Sequence, residues 1–174
     1  TINGMFYDPL GPTLIDFVDG RADLKRKVVR AIGDASRRFG EDRLRLMRCV
    51  RFAAVLDFEI EPATWDALRH HAGTIKEMAV ERVADELVKG LTQAGAARYL
   101  QLLQDSGLLE VLLPEAAAMA GVAQPETFHP EGDVFTHVRK MFENARYPLT
   151  PTLALGVLLH DVGKPPTYQV SDRI

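Results

Sequence analysis

EDRLRLMRCVRFAAVL, residues 41–56, opens on two carboxylates and then sets Arg45, Arg48 and Arg51 in a run that is otherwise apolar from Leu44 onward. Helical spacing buries most of such a segment and carries its guanidinium groups to an internal surface. Charges taken out of water are costly unless anions or carboxylates meet them. A row of arginines with a carboxylate pair at its head is suited to a ligand bearing phosphates, because a guanidinium donates two parallel hydrogen bonds to phosphate or carboxylate oxygens. Asp42, Arg45, Arg48 and Arg51 are spaced by three, so on one continuous helix each step advances about 4.5 Å and rotates by about 60°. Asp42, Arg45 and Arg48 then share one ligand, with Arg51 turned further round. The competing reading is a set of local ion pairs, Glu41 with Arg45 and Asp42 with Arg45, each worth tenths of a kcal/mol when exposed.

Charge is concentrated around this segment. Eleven basic residues between Arg21 and Arg51 face four acidic ones, Asp23, Asp34, Glu41 and Asp42, although the whole chain has a formal net charge of −3. The local excess attracts phosphates, while the acidic remainder makes the molecule polarised rather than uniformly basic. Alternatively, Lys25 to Lys27 and Arg37 with Arg38 are only a solvated surface.

The 174 residues are 47% apolar and 26% charged, which suits a globular chain of one or two domains. No apolar run is long enough to span a bilayer. The single cysteine, Cys49, excludes an internal disulfide and is ordinary in a reducing compartment, so a cytoplasmic location is expected.

Residues 2–7 and 14–18 read as strands joined by the turn Asp8-Pro9-Leu10-Gly11-Pro12, a hairpin that is marginal alone. After Gly20 the pattern turns helical. Helices are expected over 22–27, through the arginine segment, over 62–71 with Pro62 in the first turn, and over 80–92, where Val80, Val83, Ala84, Leu87, Val88 and Leu91 recur at helical spacing. A further helix through Ala97, Leu100, Leu103 and Leu109 is interrupted near Gly107. A connector is expected around Gly121 to Gly132, with His129 beside Pro130 as a loop residue.

TINGMFYDP, LIDFVDGRADL, VVRAIGD and RRFGEDRLRLMRCVRFAAVLDFEIEP, followed by ERVADELVKGL at 81–91, together resemble the central portion of the class II tRNA nucleotidyltransferase (CCA-adding enzyme) and bacterial poly(A) polymerase family. The resemblance covers about half the chain through several ordered motifs. It implies a mainly α fold: residues 1–20 as a β-hairpin at the end of the nucleotidyltransferase head, 21–120 as a helical neck and RNA-binding region, and 133–174 as part of an HD-type helical domain. Glu41, Asp42 and Arg45 match the family's EDxxR motif, which selects the incoming base, and Arg48 and Arg51 match further nucleotide contacts. Thr1, Ile2 and Asn3 match the end of another nucleotide-binding motif. The family's catalytic carboxylates, which hold Mg2+, correspond to positions upstream of Thr1, so these residues alone are expected to be inactive in nucleotidyl transfer.

The base selection that this family performs is intelligible from donors and acceptors. Adenine and cytosine each place an amino donor beside a ring-nitrogen acceptor, whereas uracil and guanine place a carbonyl beside an N–H. One Asp acceptor with one Arg donor therefore suits ATP and CTP and leaves buried groups unpaired with UTP or GTP. The implied partners are ATP, CTP and a tRNA or other RNA 3′ end.

EGDVFTHVRKMFENA and LALGVLLHDVGKPPTY resemble the first part of an HD-type domain. His160 and Asp161 end an apolar helix and offer a nitrogen and oxygen ligand set for a second divalent metal, to which the resemblance adds His137. In such relatives the domain either supports tRNA or hydrolyses phosphoesters. Three readings therefore stand: CCA addition, polyadenylation by the same motifs, and metal-dependent phosphohydrolysis at the HD-type site. A non-catalytic RNA-binding scaffold is a fourth.

Overall fold

The computed structural model describes residues 2–124 and 132–167; Thr1, His129 and the middle of the expected connector lie outside the described residues. The fold is mainly α, as expected, with one small hairpin and one very short parallel strand pair. Strands β1 (Met5–Asp8) and β2 (Thr13–Asp16) pair antiparallel, Met5 opposite Asp16 and Asp8 opposite Thr13. The Asp8 carboxylate accepts the Leu10 amide at 2.9 Å and so closes the turn. Ile2–Gly4 is a 3-10 turn rather than a strand. Its backbone runs so close to Ile32 and Val18 that a Cβ at Gly4 would meet their side chains at 2.6 and 2.9 Å, which leaves room only for glycine there.

Helix α1 (Gly20–Arg26) starts on the Asp16 carboxylate, which accepts the amides of Val18, Gly20 and Arg21. Those backbone donors, Arg21 first, hold the carboxyl below its usual range. Strand β3 (Val28–Val29) pairs in parallel with β4 (Glu59–Ile60). Between them lie α2 (Ala35–Glu41) and α3 (Leu44–Leu56). The sequence pattern does not signal α2, because only Phe39 of its residues is buried; its start is fixed by Asp34, whose carboxylate accepts the Arg37 amide at 2.7 Å.

The arginine segment forms the centre of the core. Leu46, Met47, Val50 and Ala53 of α3 have no solvent exposure. Burial pushes the Cys49 thiol up to about 12, so it is a packing residue and not a nucleophile. Helix α3 is packed by α5 (Val80–Leu91) and α6 (Ala96–Asp105), and α2 rests on α4 (Pro62–His71). Glu61 caps α4 by accepting the Thr64 amide, with Pro62 in the first turn as the sequence suggests. The break near Gly107 is present: Gly107 takes φ +79° between α6 and α7 (Leu108–Leu112), and α8 (Pro114–Ala117) follows.

Beyond the connector, α9 (Val134–Glu143) packs on α6, and α10 (Pro151–Leu159) packs on α5 and α9; a single turn, α11 (Lys164–Thr167), comes last. Val134, Phe135, Val138, Phe142, Ala154 and Leu158 belong to the same buried cluster as the residues of α3. Hydrophobic contact is therefore continuous from the arginine helix to the last helices.

Candidate nucleotide site and metal corner

The arginine row does not begin with its carboxylates on the same helix. Glu41 is the last residue of α2, and Asp42 has an extended backbone (φ −151°, ψ 102°) at the junction with α3. The four residues thus do not form one continuous helical row. Asp42 instead meets the first turn of α3: its carbonyl accepts the Arg45 amide at 3.0 Å and its Oδ1 accepts the Leu44 amide at 3.2 Å. Arg82 of α5 stands 3.9 Å from the same Oδ1.

Each arginine of α3 has a different setting. Arg45 donates through Nη1 to Glu41 and to the Arg38 carbonyl, both at 2.8 Å, so its other nitrogens remain available among the described residues. Glu41 also receives Arg38 at 2.7 Å and Arg37 at 3.4 Å. The Arg45 hydrogen bond, ahead of the Coulombic pull of Arg38, holds the Glu41 carboxyl below its usual range. Arg48 is 44% exposed and lies 3.8 Å from Glu86. Arg51 is 15% exposed, donates to Glu86 at 2.9 Å, and lies over the Phe52 ring at 4.6 Å.

Asn3, Arg30, Arg38, Arg45 and Arg48 converge on one cavity of about 250 Å3, whose apolar wall includes Phe39, Cys49 and Phe52. Four guanidinium groups around an apolar recess match a ligand that is anionic at one end and aromatic at the other. Arg51, Glu41 and Asp42 do not line it. Arg30 and Arg38 are additions that the sequence pattern did not single out, as is Glu86. The signal for Glu86 was present: it lies on the same side of α5 as the buried Val83, Leu87 and Gly90, and a carboxylate there requires a cation.

A second cluster lies at the other end of the chain. His137 of α9, His160 at the end of α10 and the buried Asp161 bring one ligand atom each within 4.8 Å of one another. The His137 and His160 rings are 5.6 Å apart, edge to face. His160 Nε2 is 3.3 Å from Asp161 Oδ2, and its Nδ1 lies 2.9 Å from the Val157 carbonyl, a contact that orients the ring. Lys164 Nζ donates to the same Asp161 oxygen at 2.7 Å and to Gln124 Oε1 at 2.8 Å. Two imidazoles and a carboxylate suit a divalent transition metal.

Helices thus pack around a largely buried arginine segment, with a basic recess at its start. The structure aligns with a CCA-adding enzyme of Bacillus stearothermophilus in complex with CTP at a TM-score of 0.72 and 30% identity, over 94% of this chain and 37% of that one. It also aligns with a tRNA nucleotidyltransferase complexed with a primer tRNA and an incoming ATP analog, at a TM-score of 0.62 and 27% identity, over 86% and 43%. The Multifunctional CCA protein of Leptothrix cholodnii is 39% identical over 168 residues, 94% of this chain and 39% of that protein. Residues 57–119 match the family model described as the probable RNA and SrmB-binding site of polymerase A. The chain belongs to the CCA-adding enzyme and poly(A) polymerase family. It spans about two fifths of the length of the curated relatives it matches.

Proposed function

We propose that these residues form the nucleotide-selecting neck and RNA-facing body of a tRNA nucleotidyltransferase that adds CMP and AMP to the tRNA 3′ end without a nucleic-acid template. The observation that carries this reading is the convergence of Arg45, Arg48 and Asn3 on one arginine-rich cavity, in a fold that aligns with a CCA-adding enzyme solved with CTP. Arg45 and Asp42 read the base edge. Glu41 holds one side of the Arg45 guanidinium, which fixes the plane in which the remaining N–H groups point. Asp42 keeps Oδ2 out of any hydrogen bond among the described residues, so it can accept the amino group shared by adenine and cytosine. Arg48 and Asn3 face the phosphates. Arg51, tied to Glu86, acts by anchoring α3 to α5.

Mg2+ in this reading is held by carboxylates outside these residues and supplies activation of the attacking hydroxyl and charge neutralisation at the phosphates. A cytoplasmic location belongs to this reading; among the described residues no helix is long and apolar enough to cross a membrane. Incubating the full-length protein with tRNA lacking its terminal trinucleotide, and with each nucleotide singly and in mixture, tests the assignment. Addition that stops after CCA supports it; unlimited addition of AMP alone assigns the protein to polyadenylation. In Asp42→Ala, discrimination against UTP and GTP erodes; unchanged base preference in a folded variant overturns the base-reading role.

The clustering of His137, His160 and Asp161 supports a second activity, metal-dependent phosphoester hydrolysis, at a site separate from the neck. His160→Ala then abolishes Mn2+- or Ni2+-stimulated phosphodiesterase activity and spares nucleotide addition.

A further inference from the structure

Helix α2 ends where Asp42 turns extended, so the carbonyls of its last turn have no following helical amide to accept from. One of them, the Arg38 carbonyl, takes Arg45 Nη1 at 2.8 Å. The side chain of the same residue reaches Arg45 by a second route. Arg38 Nη1 donates to Glu41 Oε2 at 2.7 Å, and Arg45 Nη1 donates to that same oxygen at 2.8 Å. Arg38 therefore shapes the seat of Arg45 twice, once through its backbone and once through Glu41. It also lines the cavity together with Arg45 and Arg48.

The other oxygen of Glu41, Oε1, lies 3.4 Å from the exposed Arg37. The carboxylate is thus drawn two ways: Arg38 and Arg45 hold Oε2, while Arg37 draws Oε1 towards solvent. Water screens each of these pairs, so none of them alone fixes a side chain. The short bond from Arg38 keeps Oε2 against Arg45. Without it Arg37 is left as the competing cation, and the carboxylate is free to follow it outwards. Arg45 Nη1 then keeps only the Arg38 carbonyl. A guanidinium tied to one acceptor turns about that bond, whereas one tied to two has the plane of its fork set.

We propose that Arg38 is a positioning residue for nucleotide selection: with its carbonyl and, through Glu41, with its guanidinium, it sets the plane in which Arg45 presents its remaining N–H groups to the base. The proposal rests on reading Arg45 as a base-reading residue. It places part of the selection in a residue that need not touch the base. It also gives the break between α2 and α3 a purpose, because a helix continued through Asp42 would close the Arg38 carbonyl with the Asp42 amide and leave Arg45 without that seat.

Single-nucleotide addition by the full-length protein, with kcat and KM measured for ATP, CTP, GTP and UTP, tests this. Arg38→Met keeps the carbonyl and removes the guanidinium; Arg38 is partly exposed, so its melting temperature should stay close to wild type. Discrimination of ATP and CTP against GTP and UTP should fall by about fivefold. The loss should appear as a lower kcat for ATP and CTP, with KM little changed. Arg38→Lys, which keeps a charged donor for Glu41, should restore most of it. In Arg45→Lys, already down by about tenfold, adding Arg38→Met should cost nothing further, because the residue acts through Arg45. Losses that multiply to about fiftyfold in the double variant overturn the proposal. So does a KM raised alike for all four nucleotides with selection unchanged, which makes Arg38 a phosphate contact. If Arg45→Lys loses selection and Arg38→Met does not, the positioning role alone fails. If Arg45→Lys itself selects as the wild type does, the base-reading role fails and takes this one with it.

Discussion

Two carboxylates meet the arginines of α3, and their surroundings differ. Glu41 is exposed and shared among Arg37, Arg38 and Arg45. Glu86, with a side chain only 4% exposed, grips Arg51 and lies 3.8 Å from Arg48. Water screens the first network, so its members exchange partners at little cost. The second is locked, because removing either member strands a charge away from solvent. One helix thus presents an arginine in a solvent-screened network near its start and one in an enclosed pair further along.

The sharpest way to break this contrast is Glu86→Ala, which leaves the largely enclosed Arg51 without its carboxylate and should cost up to about 3 kcal/mol in urea denaturation. A loss within the range of an exposed pair would mean that both networks are equally labile. Gly90→Ala attacks the same lock through packing. A Cβ there would stand 2.1 Å from the Tyr99 ring, so a loss of about 1–3 kcal/mol is expected from overpacking. Gly90 is not in contact with the cavity, so base preference should survive in the folded fraction of Gly90→Ala, whereas Glu86→Ala also releases Arg48, which lines it.

Arg45→Lys probes the other end. Charge is kept and the planar fork is lost, so stability should hold while discrimination between ATP or CTP and GTP or UTP falls by about tenfold in single-nucleotide assays. Wild-type selectivity would reduce Arg45 to a mere positive charge. The smallest effect is expected of Glu41→Gln, with a melting temperature close to wild type. The Glu41 carboxyl is held below the usual carboxylate range, so its contribution is present above the unfolded-state pKa and is lost as pH falls through the folded one. The gap in melting temperature between wild type and Glu41→Gln should accordingly be constant near neutrality and close in acid.

The sequence reveals these regions unequally. Helices α3, α4 and α5 follow from apolar periodicity and from Pro62, because each buries a continuous stripe. Helix α2 is hidden since Phe39 alone anchors it, and that omission displaced Asp42, which looks like the first residue of an arginine helix but is an extended junction. The two-residue pair β3 and β4 is too short for alternation to register. Asn3, Arg45 and Arg48 were nucleotide-site candidates from sequence and share a cavity, whereas Arg51, a candidate on the same footing, does not line it. Both lie near Glu86, but only Arg51 is enclosed and hydrogen-bonded to it, thirty-five residues away, and no local pattern carries that pairing. His160 and Asp161 are adjacent in the chain, but His137 reaches them only because α9 packs beside α10.

The bare backbone of Gly90 lets Tyr99 lie flat against α5, with its hydroxyl donating to the Glu86 carbonyl at 3.3 Å. Tyr99 sits on α6, inside the stretch matched by the RNA-binding family model. The ring is therefore a rigid strut between a surface of the body and the residue that fixes Arg51. Any change in the size of that ring is therefore felt on α5 and α6 together, and at the Glu86 that holds Arg51.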